Sequence, residues 1–277
     1  MRIGYLGPEG TFSHEALVTG PVQEDWELVG FPTIYDTVMS VHAGEVERAL
    51  VPLENSLEGS VNATLDALAF ETEDVTIIGE LVHSVRHCLI ARAAMELEEI
   101  RTVYSHPQAS GQCARFIRTR LPNASVIAAA STADAVRIVA ASGMPAAALS
   151  TRLAADLYGC EILLAGVEDV PDNETRFGWL APAGTSAGEH GPWKTSILFW
   201  GVGSEAPGWL VSCLSDFAFN GVNLTRIESR PRKQGLGKYM FLLDLEGRAS
   251  DERVSRALDS LRGKTETVRV LGSYPAA

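Results

Sequence analysis

Long apolar runs, paired cysteines and a surplus of positive charge are all missing from this chain of 277 residues. No apolar run approaches the roughly 18 residues that a bilayer-spanning helix needs, so no membrane is expected as a partner. The opening residues Met-Arg-Ile-Gly-Tyr-Leu-Gly-Pro carry none of the apolar core of a signal peptide and read as a strand, which predicts a cytoplasmic protein. Cysteine is scarce: Cys88, Cys113, Cys160 and Cys213 stand far apart, with no C-x-x-C pair. That excludes the usual metal and redox spacings and predicts reduced, mostly buried thiols. His83 and His87 are close in sequence, but no third ligand lies near them, so no metal site is predicted. Basic residues are outnumbered, 23 Lys and Arg against 35 Asp and Glu, for a net charge of −12. Such an acidic chain suits neither nucleic acid nor an anionic membrane surface.

What is there is ordinary for a globular protein. Hydrophobic residues make up 46% and charged residues 21%, in a chain long enough for two or three domains. Over residues 1–182, apolar runs at 2–6, 49–53, 102–104, 125–130 and 146–149 are each followed by a polar or Gly-rich turn. Most of those turns open onto a helical stretch. This repetition predicts α/β layering with largely parallel sheets, whose carboxyl-end turns bind ligands. Ser131-Thr132-Ala133-Asp134 fits a capping box, and Ser13 and Ser60 precede the helical stretches His14–Val18 and Val61–Leu68 as caps should. The turn Ser105–Gln112 leads into Cys113–Ile117. Helix starts present unpaired N–H groups and a positive dipole end, so converging turns would create a locally positive site in an acidic protein. Residues 183–193 are small, polar and aperiodic, which predicts a linker. Beyond it, strands at Thr195–Trp200, Val222–Glu228, Lys238–Leu245 and Thr267–Leu271 alternate with two helical faces, Gly208–Phe219 and the Val254, Leu258, Leu261 stripe. The order β-α-β-β-α-β is ferredoxin-like.

Three polar turns stand at the ends of apolar runs or carry unusual pairs. Gly7-Pro8-Glu9-Gly10-Thr11-Phe12-Ser13 follows Ile3–Leu6, and Glu54-Asn55-Ser56-Leu57-Glu58-Gly59-Ser60 follows Ala49–Leu53. Asn173-Glu174-Thr175-Arg176-Phe177 sets one hydroxyl beside one cation. In this order they resemble the GPxGTFS, PxENSxxG and NxTRF motifs of the prephenate dehydratase family, and the likeness extends from Met1 to about Leu271. That family converts prephenate to phenylpyruvate with loss of water and carbon dioxide. The resemblance implies a bilobal, periplasmic-binding-protein-like α/β catalytic region over 1–182. It also implies an ACT regulatory domain over 194–277, since Asn223–Pro231 looks like the NLTxIESRP segment of ACT domains fused to these enzymes. Phenylalanine is then expected to bind Gly208, Trp209, Leu210, Asn223, Leu224, Glu228, Ser229, Arg230 and Pro231 between paired subunits of a homodimer or homotetramer. A domain kept only for assembly is the alternative. The family carries Gly-Ala-Leu where this chain has Gly208-Trp209-Leu210; the indole would narrow the site, alter effector choice, or point elsewhere.

In that reaction decarboxylation supplies the electron pair, so no base need abstract a carbon-bound proton and neither metal nor organic cofactor is expected. What is missing in water is a proton for the leaving hydroxide. Thr175 takes that role from the family motif. A hydroxyl is a poor acid, so a hydrogen bond that strengthens as charge builds is easier than full proton transfer, and both stay open. Arg176 is expected on the pyruvyl carboxylate through its planar fork, the alternative being an ion pair with Glu54, Glu58 or Asp172. Asn55, Ser105 and Gln112 match positions the family uses to hold substrate, and Phe177, which closes the motif, is expected to bind substrate with them. Thr11, Ser13 and Ser56 are further candidates, although helix capping explains each about as well. Prephenate and arogenate, a keto group against an amine, are not separated by these residues. A non-catalytic ligand sensor using the same cleft is the reading from another class, opposed by the intact Thr175-Arg176-Phe177.

Overall fold

The structure, a computed structural model, describes residues 1–20, 25–189, 191–201, 203 and 206–277. The first lobe opens with β1 (Arg2–Leu6), α1 (Phe12–Thr19), β2 (Glu27–Phe31), α2 (Ile34–His42), β3 (Arg48–Asn55), β4 (Gly59–Ser60), α3 (Asn62–Phe70) and β5 (Val75–Ser84). The chain then crosses into a second lobe. This holds β6 (Cys88–Ala91), β7 (Thr102–Ser105), α4 (Pro107–Gln112), α5 (Ala114–Arg120), β8 (Ser125–Ala128), α6 (Thr132–Ala141), β9 (Ala146–Ser150), α7 (Arg152–Tyr158) and β10 (Glu161–Ala165). β11 (Glu174–Pro182) returns to the first lobe. A C-terminal unit follows with β12 (Trp193–Trp200), α8 (Trp209–Phe219), β13 (Leu224–Pro231), β14 (Tyr239–Glu246), α9 (Glu252–Arg262) and β15 (Thr267–Pro275). Its strands lie in the order β13-β14-β12-β15, the ferredoxin-like arrangement. Among the described residues, no helix is long and apolar enough to cross a membrane.

Both sheets are mixed, where largely parallel ones were expected. β1 is parallel to β2 and β3, but β11 runs antiparallel to β3 and β5. In the five-stranded sheet β7 is parallel to β8 and β9, whereas β6 is antiparallel to β9 and β10. The cause is topological. The chain leaves the first lobe along β5 and returns along β11 beside it, and two such neighbours must point in opposite directions.

The C-terminal unit continues the large sheet rather than hanging from a hinge. β15 pairs in parallel with β5 where Gly272 meets Ile77, so one ten-stranded sheet runs through both. Only glycine fits there, because a Cβ on Gly272 would collide with the Ile77 carbonyl. Leu198, Met240, Leu242, Leu271 and Tyr274 pack into the same core as Leu53, Leu68 and Leu180. Each fully buried leucine contributes about 1.5–3 kcal/mol. The other face of the sheet is covered by α8 and α9, whose Val254, Ala257, Leu258 and Leu261 recur at helical spacing and face inward.

The helix starts differ in detail from expectation. Thr11, not Ser13, caps α1, accepting from the His14 N–H at 3.3 Å. Ser131 caps α6 at 3.0 Å, but Asp134 does not return the bond; its carboxylate pairs with Arg137 instead. Ser60 caps nothing. Its hydroxyl donates to Glu228 at 2.9 Å and accepts from Arg226 at 2.6 Å, tying β4 to β13 of the C-terminal unit.

Candidate active site

The two crossings between lobes, at Val85–His87 and at 166–173, bound a cleft of about 340 Å³. Of the residues expected to act, Thr11, Ser13, Asn55, Gln112, Thr175 and Phe177 line it. Ser105 sits just behind the wall, fully buried, with its hydroxyl donating to the His106 carbonyl at 3.0 Å. Ser56 is exposed and does not line the cleft. It donates to Asn173 Oδ1 at 3.2 Å and accepts from the Glu174 N–H at 3.0 Å.

Strand alternation sorts the Thr175-Arg176-Phe177 triplet. Successive side chains on β11 point to opposite faces, so Thr175 and Phe177 face the cleft and Arg176 faces away. The Thr175 hydroxyl oxygen accepts from Asn55 Nδ2 at 3.0 Å. The amide orientation of Asn55 is fixed by backbone: its Oδ1 accepts from the N–H groups of Leu57 and Glu58, each at 3.0 Å. Asn55 must therefore donate to Thr175, and the Thr175 proton is free to point into the cleft. Among the described residues no ionisable group is bonded to that hydroxyl. The site thus offers a hydrogen-bond donor and no partner that would make Thr175 an acid.

Arg176 corrects an expectation. It was placed on a substrate carboxylate, and instead it lies at the seam with the C-terminal unit. Its Nη1 is 2.6 Å from Asp244 and 3.3 Å from Glu54, and its Nη2 donates to the Tyr274 hydroxyl at 3.2 Å. Nε lies 2.8 Å from Glu80, an ion pair whose angle falls short of a hydrogen bond. Glu54 was foreseen as a structural partner; Asp244, Glu80 and Tyr274 lie too far off in sequence to be read. Burial alone would raise the Asp244 carboxyl, but the Arg176 charge, aided by Ser196 and Arg226, outweighs it and holds the group below the usual carboxylate range.

With Arg176 absent, no lysine, arginine, aspartate or glutamate among the described residues lines the cleft. Polarity comes instead from helix starts. Thr11, Phe12 and Ser13 of α1, His106 and Gln108 of α4, and Ser131 and Thr132 of α6 all border the same cavity. Their unpaired N–H groups and positive dipole ends suit an anionic ligand. His87, missed except as a metal candidate, lines the wall and bonds Gln112 at 2.9 Å. Burial lowers its pKa, against the weaker upward pull of the Gln112 bond and nearby carboxylates, so it is neutral near pH 7. His83 pairs with Glu15 at 3.1 Å, well apart from His87 in bonding. Asn173, quoted in the motif but given no role, joins Asn55 to Gln112. Neither residue could be placed without seeing that β5 and β11 are neighbours.

The expected effector residues are divided by the C-terminal sheet. Glu228 and Arg230 face the first lobe, bonded to Ser60 and to Asp66 at 2.9 Å. Gly208, Trp209 and Leu210 start α8 on the opposite face, Gly208 at φ +82°, a left-handed conformation that favours glycine. Ser229 and Pro231 oppose Phe241 and Tyr239 along the ladder. Leu224 packs under the helices, and Asn223 donates to Glu246 at 3.0 Å near the other end of β13. The Trp209 indole points into its own domain. It packs on Phe199 and Phe241, fills the slot left by Gly201 and Gly203, and donates to the Lys264 carbonyl at 3.0 Å.

Two α/β lobes facing a cleft with no charged lining residue among those described, with helix starts suited to an anion and one free hydroxyl proton, define a bilobal protein with a site for a small anionic ligand. The comparisons narrow this class. A family model described as prephenate dehydratase matches residues 3–184. The bifunctional chorismate mutase/prephenate dehydratase of Aquifex aeolicus (strain VF5) is 40% identical over 284 residues, covering all of this chain and 74% of that protein. Among solved structures, the prephenate dehydratase from Arthrobacter aurescens in complex with L-Phe superposes with a TM-score of 0.90 at 36% identity, covering 99% of this chain and 90% of that one. GqqA, described as a novel type of quorum quenching acylase, superposes with a TM-score of 0.87 at 31% identity, covering 100% and 98%. The chain belongs to the prephenate dehydratase family. It is a lyase of aromatic amino acid biosynthesis.

Proposed function

We propose that the cleft converts prephenate to phenylpyruvate, with Thr175 donating a hydrogen bond to the C4 oxygen as it departs. The carrying observation is the direction of the Asn55–Thr175 bond, which leaves the Thr175 proton uncommitted. As the ring carboxylate leaves as carbon dioxide, its electron pair enters the ring and negative charge builds on the departing oxygen. A donor already aimed at that oxygen binds it more tightly in the transition state than in the ground state. The α1, α4 and α6 starts receive the carboxylates, and their neutrality spares the departing one a fixed counter-charge that would oppose its loss. Acyl transfer is not favoured here, because no cleft-lining hydroxyl among the described residues is hydrogen-bonded to a histidine ring that could activate it.

The C-terminal unit then serves as an ACT regulatory domain acting in the cytoplasm, binding phenylalanine between subunits of a homodimer or homotetramer. Three observations support this. A relative of known structure holds L-Phe. β13 ends the ten-stranded sheet with an open edge, and Val211, Phe219 and Ile227 are exposed on the same unit. Arg226 and Glu228 on β13 reach Ser60, at the end of the turn that carries Asn55.

Purified protein supplied with prephenate or with arogenate separates the substrate readings. Phenylpyruvate from prephenate, at a kcat/KM above that on arogenate, is expected. Turnover of arogenate alone, or of neither, would overturn the assignment.

A further inference from the structure

We infer that His87 is a positioning residue that keeps the Thr175 donor aimed by pinning the far end of a side-chain chain running from Asn55 through Asn173 to Gln112. The inference rests on the reading of Thr175 as the donor. It follows from a sequence of forced orientations. The Leu57 and Glu58 N–H groups make Asn55 Oδ1 an acceptor, so Asn55 Nδ2 is the donor to Asn173 Oδ1 at 2.8 Å. Asn173 must then offer Nδ2 to Gln112 Oε1, at 3.3 Å. The same Oε1 meets His87 Nε2 at 2.9 Å, so Nε2 carries the imidazole hydrogen. His87 Nδ1 is left bare, buried and without a partner.

That orphan nitrogen is informative. An imidazole kept only for packing has no use for an unpaired buried acceptor, which costs free energy. A phenylalanine would fill the place and keep the edge-on contact with Phe12, whose ring centre is 5.1 Å away. What phenylalanine cannot supply is the Nε2–H bond. Without it Gln112 keeps only two long bonds, from Asn173 to its Oε1 at 3.3 Å and from its Nε2 to Glu58 at 3.4 Å, and the amide can turn over. Its Nε2 would then face Asn173 Nδ2, two donors opposed. Asn173 would turn in response, and Asn55, still held by the Leu57 and Glu58 N–H groups and the Glu174 carbonyl, would lose its shortest acceptor and shift its Nδ2 relative to Thr175.

The test is a set of variants: His87→Phe, His87→Gln, Thr175→Ala and the double variant His87→Phe/Thr175→Ala, each assayed for kcat and KM on prephenate and for thermal stability. Glutamine can return an N–H near the Nε2 position. Expected are a loss of about tenfold in kcat for His87→Phe with KM little changed, and recovery to within about threefold for His87→Gln. His87→Phe should be at least as thermostable as wild type, because the orphan nitrogen is gone. In the Thr175→Ala background, His87→Phe should lower the residual turnover no further, since its effect passes through a hydroxyl already removed. A full multiplicative loss in the double variant, an unimpaired His87→Phe, or His87→Gln as poor as His87→Phe would each overturn the inference. If Thr175→Ala itself turns over normally, the donor reading fails and takes the inference with it.

Discussion

At the scale of single residues, two neighbours on one strand have opposite duties. Thr175 faces the cleft, and Arg176 faces the seam with the C-terminal unit. Arg176 is the cation between Asp244 and Glu80, both nearly closed to solvent. Replacing it with methionine would leave Glu80 with Lys194 alone and Asp244 with only the more distant Arg226 at 3.9 Å, a loss of roughly 3–5 kcal/mol, the scale for removing one partner of a buried pair. Urea titration of Arg176→Met at pH 7 measures it directly. Acid should shrink the difference. Asp244 is held below the ordinary value in the wild type, so its contribution is complete above about pH 4, the unfolded carboxylate range, and is lost as pH falls through the lower folded value. In the variant the same carboxyl, buried and left with only Arg226 and Ser196 to offset its desolvation, takes up a proton at higher pH than in the wild type. A stability gap that stayed constant from neutral to acid pH would show that the Arg176–Asp244 pair is not the origin.

At the scale of elements, the ten-stranded sheet depends on one close approach, Gly272 on β15 against Ile77 on β5. Gly272→Ala should force these strands apart and cost about 1–3 kcal/mol, the scale of overpacking a closed core. Chemical denaturation compared with wild type checks it, and an unchanged midpoint would mean that the junction yields freely. Such junctions are invisible in sequence. The strands β1, β3, β7 and β9 were legible because each is a short apolar run ending in a polar turn. β5 was not: Val75–Ser84 contains Gly79, Glu80 and His83, and it reads as irregular until Glu80 is seen buried against Arg176 and Lys194. Missing β5 meant missing its pairing with β11, and with it the turned-away Arg176 and the place of His87. Asn55, Gln112 and Thr175 were legible through the motif resemblance, and Thr11 as a turn residue at a helix start, where sequence and ligand geometry are linked.

At the scale of the molecule, an acidic protein presents a cleft wall with no lysine or arginine among its described residues, and the proposed anionic substrate is met by helix starts instead. The net charge of −12 is carried elsewhere, and all four lysines, Lys194, Lys233, Lys238 and Lys264, belong to the C-terminal unit. That unit touches the catalytic lobe through Ser60, which bridges Arg226 and Glu228 and ends the turn begun by Glu54 and Asn55. A ligand that favours one arrangement of β13 can reach the Thr175 donor along this short path, provided it binds the two arrangements unequally. Ser60→Ala should leave turnover without effector within about twofold, while weakening inhibition by phenylalanine several-fold. Initial rates over a phenylalanine titration decide it. Inhibition unaltered by the substitution would place the coupling elsewhere.

The central claim is that Thr175 acts through its hydroxyl proton. It is tested most directly by single-substrate kinetics on prephenate for wild type, Thr175→Ser and Thr175→Ala, each confirmed folded. Serine keeps the donor, so its kcat should stay within about tenfold of wild type. Alanine removes the donor, so kcat should fall by about 100-fold or more with KM changed little, the signature of a bond made mainly in the transition state. An alanine variant with near wild-type kcat, or one impaired only in KM, would contradict the account.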